Sequence, residues 1–181
     1  RTISRWVIDR RTGWLDDAMI ALTDLGNGLV LVAVGIFLGV IVAPLHRALG
    51  LTLALVPVIR PLLVTVLKEL VDRPRPWIEP LADAAGASFP SGHVVAASMW
   101  FLVPIALSVL RPGSRTVPAT TIGAAVIVVV VAITRVYLGV HWATDTIGGA
   151  LIGGVLIAGV WSVRQRPIEP PAAPLEEPPA V

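Results

Sequence analysis

The chain has 181 residues, 55% of them hydrophobic and only 14% charged, with a mean hydropathy of +0.82. So apolar a composition excludes an ordinary soluble domain and predicts a membrane protein. With no cysteine there are no disulfides or thiolate metal sites, and a formal charge of +2 with scattered arginines is weak support for a nucleic-acid partner.

The first residue is Arg1, with neither an initiator Met nor a signal peptide in view, so trimming at the start is expected. Within residues 1–24, Trp14, Leu15, Ala18, Met19 and Leu22 recur at helical spacing, with Leu25 just beyond, while Asp16, Asp17 and Asp24 take other positions. This pattern predicts an amphipathic helix at the membrane interface, with Thr12 as its candidate cap. An ordinary connecting helix is the competing reading.

Residues 25–45 carry no charge and suit one crossing of a hydrocarbon core about 30 Å thick. After the connection at Pro44-Leu45-His46-Arg47, a second span covers residues 48–67, and further spans cover 94–110, 116–133 and 146–163. The expected fold is all-α, a polytopic transmembrane helix bundle of five spans over residues 25–166. Gly35-x-x-x-Gly39 and Gly149-x-x-x-Gly153 predict close helix packing within the chain. Residues 167–181 are rich in Pro, Ala and Glu and read as a disordered or polyproline tail.

Arg60 interrupts the second span between Pro57 and Pro61. A charge at mid-bilayer is costly, but each proline leaves a carbonyl without its helical donor. Satisfying those carbonyls inside the bundle is the favoured reading, ahead of substrate contact.

Counting crossings brings three polar clusters to one face of the membrane, although they lie far apart in sequence. The first holds Lys68 and Arg75, close to one helical face as long as the helix persists, with Pro74 favouring a loop. Two such cations suit a phosphate, but on this cluster alone headgroup anchoring by basic residues at an interface is the favoured reading. In the second, Phe89-Pro90-Ser91-Gly92-His93, Ser91 is a natural N-cap and the free N–H groups of the helix start favour an anion. Gly92 permits close backbone approach, and His93 is expected to project into the site.

The third cluster, residues 134–145, contributes Arg135, His141 and Asp145. His141 and Asp145 are four apart, so a helix that included both would set the carboxylate beside the imidazole. There it would fix the ring's tautomer and stabilise its protonated form. Three cations, an anion-binding helix start, two histidines and a carboxylate, with no obvious metal set, fit phosphoryl transfer through a histidine nucleophile better than metal-assisted hydrolysis.

Lys68 followed after six residues by Arg75-Pro76, then Pro90-Ser91-Gly92-His93, then Arg135 with His141 and Asp145, resembles the three-part signature of the type 2 phosphatidic-acid phosphatase superfamily. The resemblance covers residues 16–153. Thr134 stands where the family usually has Ser, and Thr keeps the hydroxyl. Bacterial integral-membrane members typically have six helices, so a sixth span is expected before Arg1.

The resemblance implies that His141 attacks phosphorus and forms a phosphohistidine, with Asp145 orienting and charging its ring. His93 would protonate the departing oxygen and then activate water. Lys68, Arg75 and Arg135, with Ser91 and the Gly92 N–H, would hold the phosphate oxygens; no metal or cofactor is required. The implied partners are membrane lipids and a lipid phosphate. Polyprenyl diphosphate is favoured by analogy, and phosphatidylglycerol phosphate and phosphatidic acid also qualify. Trp77, Ile78 and Leu81 are candidates to cover substrate access.

A lipid phosphotransferase would use the same site. A transporter fits less well, because the charges gather at one rim rather than along a midplane path. The resemblance implies a multi-pass cell-membrane protein with an extracytoplasmic active site. Arg47, Arg111, Arg115, Arg164 and Arg166 fall on the opposite face, as cytoplasmic arginines often do.

Overall fold

A computed structural model describes residues 10–76 and 79–166. The expected tail, most of the N-terminal basic segment, and Trp77 and Ile78 lie outside those residues. Among the described residues every regular element is helical: α1 (Gly13–Thr23), a 3-10 turn (Asp24–Gly26), α2 (Gly28–Val42), α3 (Arg47–Val71), α4 (Gly92–Ala97), a 3-10 segment (Ser98–Phe101), α5 (Leu102–Leu110), α6 (Thr116–Tyr137) and α7 (Ala143–Arg164).

Five stretches are long and apolar enough to cross a membrane: Gly13–Val42, Arg47–Val71, Gly92–Leu110, Thr116–Tyr137 and Ala143–Arg164. Their number and order are those of the expected spans, but the first begins at Gly13 and takes in the segment expected at the interface, while the second, fourth and fifth reach further into the polar region than hydropathy alone indicates. Helix α6 carries Arg135 in its last turn, and α7 holds Asp145 in its first. Both side chains are buried inside the bundle, so neither charge has to end its helix by turning towards lipid.

Thr12 occupies the N-cap of α1 through its backbone alone. Its carbonyl accepts from the N–H groups of Leu15 and Asp16, each at 2.9 Å, whereas its hydroxyl caps nothing. Leu15 and Met19 pack against Tyr137, Leu138 and Val140, and Tyr137 donates its hydroxyl to Asp16 at 2.6 Å. The apolar stripe of α1 thus lies over the end of α6, the region that carries the third polar cluster.

The main core joins Leu31 of α2, Leu49 and Leu53 of α3, Met99, Leu102 of α5 and Val160 of α7. Leu29, Phe37, Leu62 and Val155 point outward, as befits faces that meet hydrocarbon. Both glycine pairs pack within the chain. A Cβ at Gly35 would lie 2.5 Å from Pro57, and one at Gly149 would lie 2.9 Å from the Ser91 carbonyl. Helix α7 therefore touches the backbone of the second cluster directly.

Candidate active site

Helix α3 ends at Val71 because Asp72 turns left-handed, with φ at 41°, and its N–H closes on the Lys68 carbonyl at 2.9 Å. Aspartate is among the few residues that tolerate this conformation. Lys68 and Arg75 consequently do not share a helical face. They meet at the carbonyl of Ala87, which accepts from Lys68 Nζ at 2.5 Å and from Arg75 Nη2 at 3.2 Å.

Arg75 is buried, and the loop ahead of the second cluster wraps around it. Its Nε donates to the Gly86 carbonyl at 2.9 Å, Nη2 to Ala85 at 2.7 Å, and Nη1 to Val140 at 2.8 Å. The same Nη1 lies 3.3 Å from His141 Nε2. Burial lowers the pKa of Arg75, and the nearby Asp145 carboxylate opposes that shift.

Ser91 is the N-cap of α4, but its hydroxyl does not cap the helix. Its own carbonyl takes the N–H groups of Val94 and Val95, at 3.2 and 3.1 Å, leaving the fully buried Oγ without a partner. A buried hydroxyl in that state needs a partner, and a phosphate oxygen would serve. The Ser91 N–H donates to the Asp145 carbonyl at 3.1 Å, joining the second and third clusters through their backbones.

The Gly92 carbonyl accepts from Arg60 Nη1 at 3.1 Å. Arg60 therefore reaches across to the second cluster, not back to the carbonyls freed by Pro57 and Pro61. His93 follows, within electrostatic range of Arg135, His141, Arg60 and Lys68. Arg135 projects from the end of α6, buried, with Nη1 on the Thr23 hydroxyl at 3.2 Å and Nε unpartnered. The Thr134 hydroxyl returns to its own helix, donating to the Val131 carbonyl at 2.8 Å.

His141 precedes α7, so the expected helical pairing with Asp145 takes another route. Asp145 folds back over the start of the helix, where Oδ2 accepts from the Trp142 N–H at 2.8 Å. That brings Oδ2 to 3.5 Å from His141 Nδ1, an ion-pair distance rather than a complete hydrogen bond. Burial pushes the His141 imidazole below its ordinary pKa. Asp145 opposes this, while Arg75 and Arg135 reinforce it.

The structure thus gathers Lys68, Arg75, Ser91, Gly92, His93, Arg135, His141 and Asp145 at one pole of the bundle. Two participants escaped the sequence reading. Thr23 shows no sign of its role until α1 folds against α6. Arg73 donates through Nη1 to Asp145 Oδ1 at 2.7 Å and to the Thr144 hydroxyl at 2.6 Å, and in the sequence it stands between Lys68 and Arg75 with nothing to link it to a carboxylate 72 residues away. Among the described residues no three His, Cys, Asp or Glu side chains are grouped as a metal ion would need. Beside the third cluster an apolar groove of about 570 Å³ opens between α1, α6 and α7, lined by Leu15, Met19, Ile133, Val136, Ala143 and Ile147.

A family model described as the PAP2 superfamily matches residues 45–169. Phosphatidylglycerophosphatase B of Bacillus subtilis (strain 168) is 36% identical over 157 residues, 85% of this chain and 77% of that protein. YbjG of Escherichia coli (strain K12), provisionally named an undecaprenyl-diphosphatase, is 36% identical over 90 residues, 47% of this chain and 41% of its own length. The crystal structure of a transmembrane PAP2-type phosphatidylglycerolphosphate phosphatase from Bacillus subtilis matches with a TM-score of 0.78 at 34% identity, covering 89% of this chain and 82% of that one.

Proposed function

The chain belongs to the PAP2 superfamily, and from that membership and the geometry of its polar pole we propose that it is a membrane lipid phosphatase working through a phosphohistidine. The observation that carries the mechanism is the environment of His141, which has a guanidinium at Nε2 and a carboxylate facing Nδ1. A carboxylate at Nδ1 favours the tautomer protonated there, leaving the Nε2 lone pair for attack.

In the proposed reaction His141 Nε2 forms a bond to phosphorus as the bond from phosphorus to the lipid oxygen breaks. His93 gives its proton to that oxygen. Water then attacks the phosphohistidine, His93 takes a proton from it, and inorganic phosphate leaves with Nε2 restored. Lys68, Arg75, Arg135, the Ser91 hydroxyl and the Gly92 N–H carry the charge of the transferring group. Arg75 acts chiefly as a buried charge beside Nε2, since its donors already hold loop carbonyls and Val140.

The apolar groove beside the third cluster suits a substrate whose tail stays in hydrocarbon while its headgroup reaches the cations. Analogy with the family favours polyprenyl diphosphate. The name of the relative matched over most of this chain now ranks phosphatidylglycerol phosphate first, with polyprenyl diphosphate second. A panel of both, with phosphatidic acid and with or without an acceptor alcohol, ranks substrates and separates hydrolysis from transfer.

Purified protein is expected to release phosphate in excess chelator, to be inhibited by vanadate, and to lose turnover in His141→Ala. Full activity in that variant would remove the mechanism. The site is proposed to face the extracytoplasmic side of the cell membrane. In intact cells, cysteines engineered at Ala87 and Gly113 test this, and labelling at Gly113 alone reverses the orientation.

A further inference from the structure

Asp145 is fully buried, and its two oxygens have different partners. Oδ2 serves the Trp142 N–H and faces His141, whereas Oδ1 is taken by Arg73. Arg73 is held in turn from three directions. Its Nη1 also donates to Thr144, its guanidinium lies 5.7 Å from the Trp142 ring centroid, and the Trp142 indole N–H donates to the carbonyl of Pro74, the next residue. The last stretch of the first cluster and the start of α7 are therefore clasped together around one carboxylate.

We propose that Arg73 is the positioning residue of the nucleophile: it anchors Asp145 Oδ1 so that Oδ2 meets His141, and it shares the negative charge that the imidazole would otherwise feel alone. The proposal rests on His141 being the nucleophile. Both effects follow from the geometry. A carboxylate with one oxygen fixed by a charge-assisted contact has little rotational freedom left. A carboxylate already paired with a cation attracts a second proton-bearing partner less strongly.

The other charged or titratable groups acting on His141 are Arg75 at 3.3 Å, Arg135 from α6 and His93 from α4, with Lys68 acting on Asp145 from the end of α3. Arg73 is the one that touches the carboxylate with a full ion pair. The Trp142 N–H still holds Oδ2 near His141 when the Arg73 charge is removed, so Asp145 is left to favour protonated His141 and the imidazole should titrate at higher pH. A purely structural role for Arg73 would change folded yield or plateau rate and leave that titration in place.

The full chain, labelled at histidine and held in detergent micelles, is titrated by NMR, with the His141 signal identified by its loss in His141→Ala. The pH profile of kcat/KM on phosphatidylglycerol phosphate is recorded alongside. In Arg73→Gln or Arg73→Met, the His141 midpoint and the acid limb of the profile are expected to rise together by about one pH unit. Arg73→Lys is expected to return both towards wild type, with a lower plateau because a single ammonium does not reproduce the guanidinium contacts. An unmoved midpoint in a folded neutral variant overturns the proposal. So does failure of both neutral variants to fold while Arg73→Lys folds, which would assign Arg73 to folding. Undiminished turnover in His141→Ala defeats the histidine mechanism instead, and the NMR titration distinguishes the two failures.

Discussion

Arg75 Nη1 lies 3.3 Å from Nε2 of His141 while also donating to the carbonyl of Val140, the residue just before that histidine. Arginine has only donors, so a contact with its guanidinium requires Nε2 to be the accepting nitrogen of the ring. The proton then sits on Nδ1, on the Asp145 side. Arg75 thus meets the proposed nucleophilic atom and the backbone that carries it, and a phosphate arriving at Nε2 would arrive beside a fixed positive charge.

Arg75→Lys is therefore not a conservative change. An ammonium cannot reach the Ala85, Gly86 and Val140 carbonyls and remain at His141, because it lacks the planar fork. Those contacts fix where the charge sits beside His141 Nε2, and a charge misplaced at a reacting centre costs on the order of 10²-fold in rate. Phosphate release by Arg75→Lys is expected to show a fall in kcat/KM of that order, and a loss under threefold would show that the charge suffices without the guanidinium's placement.

In the proposed mechanism His141 must be unprotonated to attack, and burial holds it below its ordinary value of 6.5. The neutral form accordingly persists below pH 6.5, and kcat/KM should begin to fall only at more acid pH. Asp145 acts in the opposite direction, so Asp145→Asn should move the acid limb lower still. It should also reduce the plateau by roughly 10²–10⁴-fold through loss of ring orientation. An acid limb that rises in Asp145→Asn would contradict the assignment of that limb to His141.

Much of this arrangement was legible in the sequence because hydropathy and charge carry opposite messages that reinforce each other. Five apolar runs defined the bundle, and Lys68, His93, Arg135 and Asp145 stood at its edges, where counting crossings aligned them. What could not be read were local chain reversals and side-chain choices. The left-handed turn at Asp72 replaced a shared helical face by a shared carbonyl, and Ser91 spent its backbone on the cap and left its hydroxyl free. Arg60 looked inward to its own prolines when only its own helix was in view. Its partner, Gly92, lies 32 residues away and comes into reach only once α3 and α4 are packed.

Gly153 gives a test of how α7 seats on the segment after α4. A Cβ there would collide with the Ser98 side chain, coming within 2.5 Å of its Cβ. Gly153→Ala should lower the melting temperature in detergent, with overpacking of this kind costing about 1–3 kcal/mol. Ser98→Gly removes the obstructing atoms, so the double variant should be more stable than the sum of the two single losses predicts. Strict additivity would place the strain elsewhere.

Arg60 and Gly28 offer a second coupled test, this time of the support beneath His93. Arg60 Nη1 holds the Gly92 carbonyl, and a Cβ at Gly28 would lie 2.6 Å from Nη2, so the guanidinium occupies space that only glycine leaves open. Arg60→Leu removes the charged hydrogen bond that supplements the helix's own bond to that carbonyl, a loss of about 1.5–3 kcal/mol, and loosens the turn from which His93 projects. Both melting temperature and turnover should fall, turnover by roughly tenfold. Gly28→Ala keeps the arginine but displaces it, and should shift both quantities in the same direction by less. If Arg60→Leu melts like wild type yet has no turnover, Arg60 acts on the substrate rather than on Gly92, and Gly28→Ala should then raise KM without a change in stability.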